Sequence, residues 1–427
     1  MFMDIVFFFD KEDMFDCLTT MEELGINKKA IRMWYLLNKN TKIKVKTAFG
    51  TTEEASVGDC LGQGTCGAGL VSAANLDLGL QKSFNTSNKI MHFGSVRLQP
   101  LCYQDDVGTL CTNVAMARSQ AKKLTQMIKE KTLDAHPDKS GIVLLGSKRF
   151  KDRVEKELIK EPINFNKFNL KIKTEDKYLG QMIKEDLSAS ALATVKERSG
   201  KIKGAAIEVK QIIGDFEMQT LGGLAAAWEI WERALIPSLL SGAGTWLGDI
   251  DEAIKCCNDI QDFYWRIILN ISDSVPKLAL RCETFMRDCK WRIWEEKCLF
   301  LMRIQNLEDG SLAKIIYQEA ESNGWPGLGN EVRQICRELD IPDINSYRIQ
   351  KAELQKAIQF SHKKDILKQF ESSKKLQDIK ESNFDDIQPY FHDKNIENAR
   401  ITFRIRTKML KKSLGIKKLK LKILKMV

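Results

Sequence analysis

The chain is predicted to be α+β at its front and mostly α at its back. Three observations predict this. Short apolar runs bounded by turn residues, one with clear period-two alternation, are confined to roughly residues 1–185. Beyond them, apolar positions fall into long segments of helical character. Hydrophobic residues make up 43% and charged residues 29% of 427 positions, so a sizeable core can form and disorder is not the default.

The elements follow in chain order. Residues 1–10 read as the end of a buried strand running into a loop. Residues 16–37 read as helix, interrupted near Gly25. Lys42, Ile43, Lys44, Val45 and Lys46 alternate as in a half-exposed strand. Residues 58–69 form a glycine-rich loop ahead of a helix over 70–80. Two apolar runs within 96–110 flank Tyr103-Gln104-Asp105-Asp106, which predicts a β-hairpin with two carboxylates near its turn. Val114, Ala117, Ala121, Leu124 and Ile128 recur at spacings of three and four, an amphipathic helix. Short strands are predicted over 142–145 and 178–183. Segments 218–240, 250–271, 288–306 and 350–380 read as helices. They carry or adjoin Trp228, Trp231, Trp246, Trp265, Trp291 and Trp294, which are assigned to core packing.

The net charge of +10 is concentrated at one end. Residues 401–427 hold ten Lys and Arg and no acid, leaving 57 charges of each sign elsewhere. Such a tail attracts polyanions such as nucleic acid, or an anionic membrane surface. Its alternation of Leu419, Leu421, Ile423 and Leu424 with lysines is also compatible with a nuclear address. The eleven cysteines include no CxxC pair, and the four histidines do not fall at zinc-finger spacing. Reduced intracellular thiols are expected, with Cys282, Cys289, Cys298 and Cys336 as small buried apolar residues. His136 is expected in a surface loop. No apolar run approaches the roughly 20 residues that span a bilayer, and the opening residues lack the basic region of a signal peptide.

The chemistry concentrates at Asp105-Asp106. Adjacent aspartates on a tight hairpin can offer oxygen ligands to a hard divalent cation. A two-metal site needs a further carboxylate from another strand. The N-terminus supplies one in two overlapping registers, Asp4…Phe9-Asp10 and Asp10…Phe15-Asp16; the first is preferred. Gly62-x-Gly64-x-x-Gly67 also matches a dinucleotide-binding fingerprint. That reading lacks a good preceding strand and an acid about 20 residues on, so it is set aside.

These motifs occur in order: Asp4…Phe9-Asp10, Gly62-Gln63-Gly64, Tyr103-Gln104-Asp105-Asp106, Asp138-Lys139-Ser140, and Lys177-Tyr178-Leu179-Gly180. The series resembles the reverse transcriptases of non-LTR retrotransposons, over about 180 residues. A Phe at position 7, where the family often has Lys, departs from the pattern. The resemblance implies a partial polymerase palm, a small antiparallel sheet with helices, over 1–184. A helical thumb or connection would follow over 185–300, a C-terminal helical region over 301–400, and the basic tail over 401–427. With only Met1-Phe2-Met3 ahead of Asp4, the resemblance also implies a palm and thumb without the fingers that normally come first.

The implied activity is RNA-directed DNA polymerisation: a primer 3′-hydroxyl attacks a nucleotide α-phosphate, with two Mg²⁺ ions stabilising the charge. Asp4, Asp105 and Asp106 would be catalytic and bind metal. Phe9 would sit under the incoming sugar. Gln63 and Gly64 would lie against the template and nascent pair, Lys139 near the triphosphate, and Tyr178 to Gly180 at the primer. Partners would be an RNA template, a DNA primer and dNTPs, and the compartment intracellular, with the nucleus suggested. The alternative is an inactive retroelement remnant that at most binds nucleic acid.

Overall fold

The computed structural model describes residues 1–6, 8–39, 42–56, 67–85, 89–213, 223–344, 350–371, 388–393 and 395–407. The chain divides into two compact units, Met1–Ser190 and Ala191–Val427. Both strands and helices are present, so the fold is mixed α and β, with the strands in the first unit.

The first unit is built on a five-stranded sheet. Its strands are β1 (Phe2–Asp4), β2 (Leu101–Tyr103), β3 (Asp106–Gly108), β4 (Gly141–Val143) and β5 (Lys171–Lys173), in the order β5-β4-β1-β3-β2. β1 is central and antiparallel to both neighbours, pairing Phe2 with Gly108 and Gly141, Met3 with Val107, and Asp4 with Asp106. β4 and β5 run parallel. Side chains alternate between faces along a strand. Met3 and Val107 therefore point together into the core, each 2% exposed, and Asp4 and Asp106 share the opposite face.

Several helices contribute to the core cluster that takes in Met3 and Val107, two of them most heavily. α1 (Ala68–Phe84) contributes Leu76, Leu80 and Phe84, and α2 (Val114–Glu130) contributes Ala121, Leu124, Met127 and Ile128. Burying a Leu-sized side chain stabilises by about 1.5–3 kcal/mol before entropy is counted. The α2 periodicity read from sequence is the buried stripe observed. Its first turn is capped by Asn113, whose side chain accepts from the Met116 N–H at 2.8 Å. Gly67, left-handed at φ 78°, leads into α1.

Several local expectations need correction. The stretch after β1 is not all loop, because Phe8–Lys11 forms a short helix. The alternating segment at 42–46 is exposed on both faces rather than half-buried. Residues 178–183 are not one strand. Glu175–Tyr178 and Gln181–Lys184 form a hairpin around Leu179-Gly180. Both turn residues have positive φ (48° and 74°), the backbone that a two-residue primed turn requires. A separate hairpin, Met91–Phe93 with Val96–Leu98, precedes β2.

Within the second unit the regular elements among the described residues are helical. Gly223–Ile230 runs through a π-helical stretch, Trp231–Leu235, into Ile236–Leu239. Around it pack Ser190–Ile212, Asp251–Leu269 and Ile396–Arg406. Trp231 stacks on Tyr264 at 4.8 Å between centroids, and Tyr264 meets Trp265 edge-on at 5.3 Å. The Tyr264 hydroxyl donates to the Ala227 carbonyl at 2.6 Å. The tryptophans are thus core residues, as their clustering suggested. Cys282, Cys289, Cys298 and Cys336 are buried and free.

The stretch 401–407 does not behave as the start of a solvated tail. It closes a helix in which Phe403 is fully buried. Arg404 donates to the Asn270 carbonyl at 3.0 Å, and Arg406 pairs with buried Glu283 at 2.8 Å. The lysine-rich remainder, 408–427, lies outside the described residues. Among the described residues, no helix is long and apolar enough to cross a membrane.

Candidate functional site

The charged face of the sheet carries the carboxylates singled out from sequence. β2 and β3 are joined by a two-residue turn, Gln104-Asp105, closed by the Tyr103–Asp106 pair. Gln104 adopts φ 55° there. A non-glycine residue in that region is strained by about 1–3 kcal/mol, and such strain clusters at functional sites.

β1 presents Asp4 directly across from Asp106. The Asp4 backbone is pinned on the other side as well. Its carbonyl accepts from the His136 N–H at 2.8 Å, and its own N–H donates to the Ser140 hydroxyl at 3.3 Å. The next residue, Ile5, donates to the Asp105 carbonyl at 3.1 Å. His136 is therefore more than a surface loop residue: its backbone fixes the end of β1. Asp10, the alternative ligand, sits in the short helix Phe8–Lys11 and not on the sheet.

Cross-strand residues on one face stand roughly 4.5–5.5 Å apart at Cβ, and like charges so placed repel. Asp106 registers this. Its carboxyl is raised above the ordinary value, first by burial and then by the charges of Asp105 and Asp4. Two contacts oppose the rise, the Leu179 backbone N–H donating to Asp106 and the charge of Lys139. The Lys139 ammonium lies 3.5 Å from Asp4 Oδ2, with Asp4 only 17% exposed.

Lys139 is itself held in place. Lys173 donates to the Lys139 carbonyl at 3.0 Å and pairs with Asp176 at 3.0 Å. The Lys173 side chain passes over Gly141, where a Cβ would meet its Cε at 2.7 Å. Tyr178 folds back onto the sheet. Its ring lies 5.5 Å from that of Phe2, and a Cβ on Gly108 would approach it to 3.2 Å. Burial raises the Tyr178 phenol.

The result is a cleft of about 420 Å³ lined by Asp4, Asp106, Lys139, Lys173, Tyr178 and Gly180, among others. Of the residues singled out from sequence, Asp4, Asp106, Lys139, Tyr178 and Gly180 are brought together there, and Asp105 lies next to them on the turn. Phe9 belongs to the helix Phe8–Lys11, and its side chain lies outside the described residues, as do Gln63 and Gly64 altogether. Sequence reasoning missed Lys173 and Asp176, which carried no signal. Ser140 and Leu179 stood in the ordered motifs, but the roles of the Ser140 hydroxyl and the Leu179 amide were not read from them.

The donor set suits a hard cation: three carboxylates, without a soft ligand among them. As the side chains stand, the described residues contain no group of three or more His, Cys, Asp or Glu converged closely enough to hold a metal. Lys139 supplies the positive charge beside Asp4 instead. Metal binding here would require the carboxylate side chains to converge.

No known protein-family model matches this chain, and no curated protein matches it. The functional reading therefore rests on the residues and their arrangement.

Proposed function

We propose that the chain is the palm-and-thumb portion of an RNA-directed DNA polymerase of the non-LTR retrotransposon kind. The observation that carries this reading is the pairing of Asp4 with Asp106 across adjacent strands, beside Asp105 on the hairpin turn. Segments about 100 residues apart deliver like charges to one face of one sheet, where stability alone disfavours them. Such placement makes chemical sense when a cation is to be bound.

In this reading Asp4, Asp105 and Asp106 hold Mg²⁺, which when bound supplies charge neutralisation at the phosphoryl oxygens. Lys139, whose carbonyl accepts from Lys173, would meet an incoming triphosphate. The Leu179 N–H donates to Asp106, and Tyr178 to Gly180 are assigned to the primer. Phe9 is assigned to the sugar of the incoming nucleotide, and Gln63 and Gly64 to the template pair. The substrates are a dNTP, a DNA primer and an RNA template, and a nuclear site of action would follow from priming at chromosomal DNA.

The test is primer extension on an RNA template with Mg²⁺ and dNTPs, comparing the chain with Asp105→Asn. Extension by the first and loss in the second, by several orders of magnitude, is expected. Absence of extension in both would turn the reading to a nucleic-acid-binding remnant, the second possibility that the ordered motifs allow.

A further inference from the structure

Every residue from 42 to 56 is exposed. These residues form a ribbon of two antiparallel strands. Lys42 pairs with Ser56, Ile43 with Ala55, Lys46 with Thr51, and Thr47 with Gly50. The registers on the two sides differ by one residue, so the returning strand carries a bulge near Glu53. A two-stranded ribbon without a packed face is marginally stable in water. Yet this one displays Ile43, Val45 and Phe49, and Phe49 at its tip is fully exposed (101%). The Phe49 ring is thus open to a partner.

The charge pattern says which kind. From residue 28 through residue 52 the sequence has seven basic residues and no acid. On the ribbon, Lys42, Lys44 and Lys46 lie at two-residue spacing along one strand face, about 7 Å apart. Lys42 and Lys44 share a single acid, Glu54, at 3.2 and 3.3 Å, in exposed pairs worth little. Lys46 has no ion pair with a described residue. A lysine row leading to a bare aromatic ring is complementary to phosphates in series and the π-face of a base.

We propose that this ribbon binds single-stranded nucleic acid, with Phe49 stacking on a base and Lys42, Lys44 and Lys46 tracking the backbone. The inference stands on the ribbon alone, whatever the carboxylate site does.

The experiment measures binding of the full chain to fluorescein-labelled oligo(dT) and oligo(rU) by anisotropy over a range of salt concentrations. Phe49→Ala and the triple variant K42Q/K44Q/K46Q are compared with the unaltered chain. Because every residue of the ribbon is exposed, neither ribbon variant should disturb the fold, which circular dichroism checks. Phe49→Ala should weaken binding about 5- to 100-fold. The triple variant should flatten the log–log salt slope by about 2. Preference for one oligonucleotide over the other identifies RNA or DNA as the strand bound, and either supports the proposal. Photo-crosslinking with 4-thio-substituted oligonucleotides should map to residues 47–51, and it decides the matter where the C-terminal lysines mask a change in affinity. No crosslink in that segment, with affinity and slope unchanged in both variants, overturns the proposal. So does binding to phosphatidylserine vesicles, sensitive to both variants, in a chain that binds neither oligonucleotide.

Discussion

At the scale of residues, the site is a cluster of like charges held by backbone. Asp4 is fixed from both neighbouring segments, through Asp105 and Asp106 on one side and His136 and Ser140 on the other. The aspartates themselves were legible, because Asp105-Asp106 sits between apolar runs and Asp4 precedes the aromatic spacing. The roles of the Ser140 hydroxyl and of Lys173 were not, because a hydroxyl and an exposed-looking lysine acquire roles only when distant strands meet. A consequence follows for stability. Asp106 is held above its ordinary range by burial and by Asp105 and Asp4. A carboxyl raised on folding binds its proton more readily in the folded state. Its contribution to stability is therefore full at low pH and lost as pH rises from the ordinary value of 3.8 through the raised one. Asp106→Asn should accordingly stabilise the metal-free protein at neutral pH by about 1 kcal/mol, or about 2–4 °C in Tm. Added Mg²⁺ should raise the Tm of the unaltered chain and not that of the variant. Thermal melts in EDTA and in Mg²⁺ check both signs, and an unaltered chain whose Tm ignores Mg²⁺ would argue against the carboxylates as a metal site.

At the scale of elements, periodicity carried most of the reading. The α2 stripe of Val114, Ala117, Ala121, Leu124 and Ile128 became the buried face because a 3.6-residue repeat brings those positions into line. Turns were harder. The Leu179-Gly180 hairpin escaped because only one of its two positive-φ residues is glycine. The ribbon at 42–56 alternates as a half-buried strand would, yet both faces meet water; alternation reports a difference between faces, not burial of either. In the second unit, close approach rather than pattern governs the short 3-10 turn Ala243–Thr245 against the helix Cys289–Asn306. A Cβ on Gly244 would stand 2.7 Å from the Phe300 Cβ and 2.9 Å from the Glu296 carbonyl oxygen. Neither of those atoms is the end of a flexible chain, so Gly244→Ala should destabilise this unit by about 1–3 kcal/mol. A denaturant midpoint unchanged by the substitution would contradict that packing.

At the scale of the whole molecule, the division into an α and β front and a helical back was visible in where strand patterns stop. Where the basic tail begins was not. Phe403 and the arginines around it read as cationic sequence, but a helix ending at Arg406 uses them for core packing, carbonyl contacts and the Glu283 pair. Tests of the tail should therefore remove residues 408–427, which hold eight lysines and no acid, and leave Phe403 in place. If that segment binds nucleic acid, its removal should flatten the salt dependence of affinity by about 0.7 for each single-strand phosphate it had neutralised, and an unchanged slope would exclude it from binding. The polymerase reading depends on the opposed carboxylates of Asp4 and Asp106 and the adjoining Asp105. It is tested most directly by Mg²⁺-dependent primer extension on an RNA template, with Asp105→Asn alongside. Extension by the unaltered chain that disappears in the variant, while its circular dichroism and melting remain those of a folded protein, is the expected result; equal extension by both would contradict the assignment of the site.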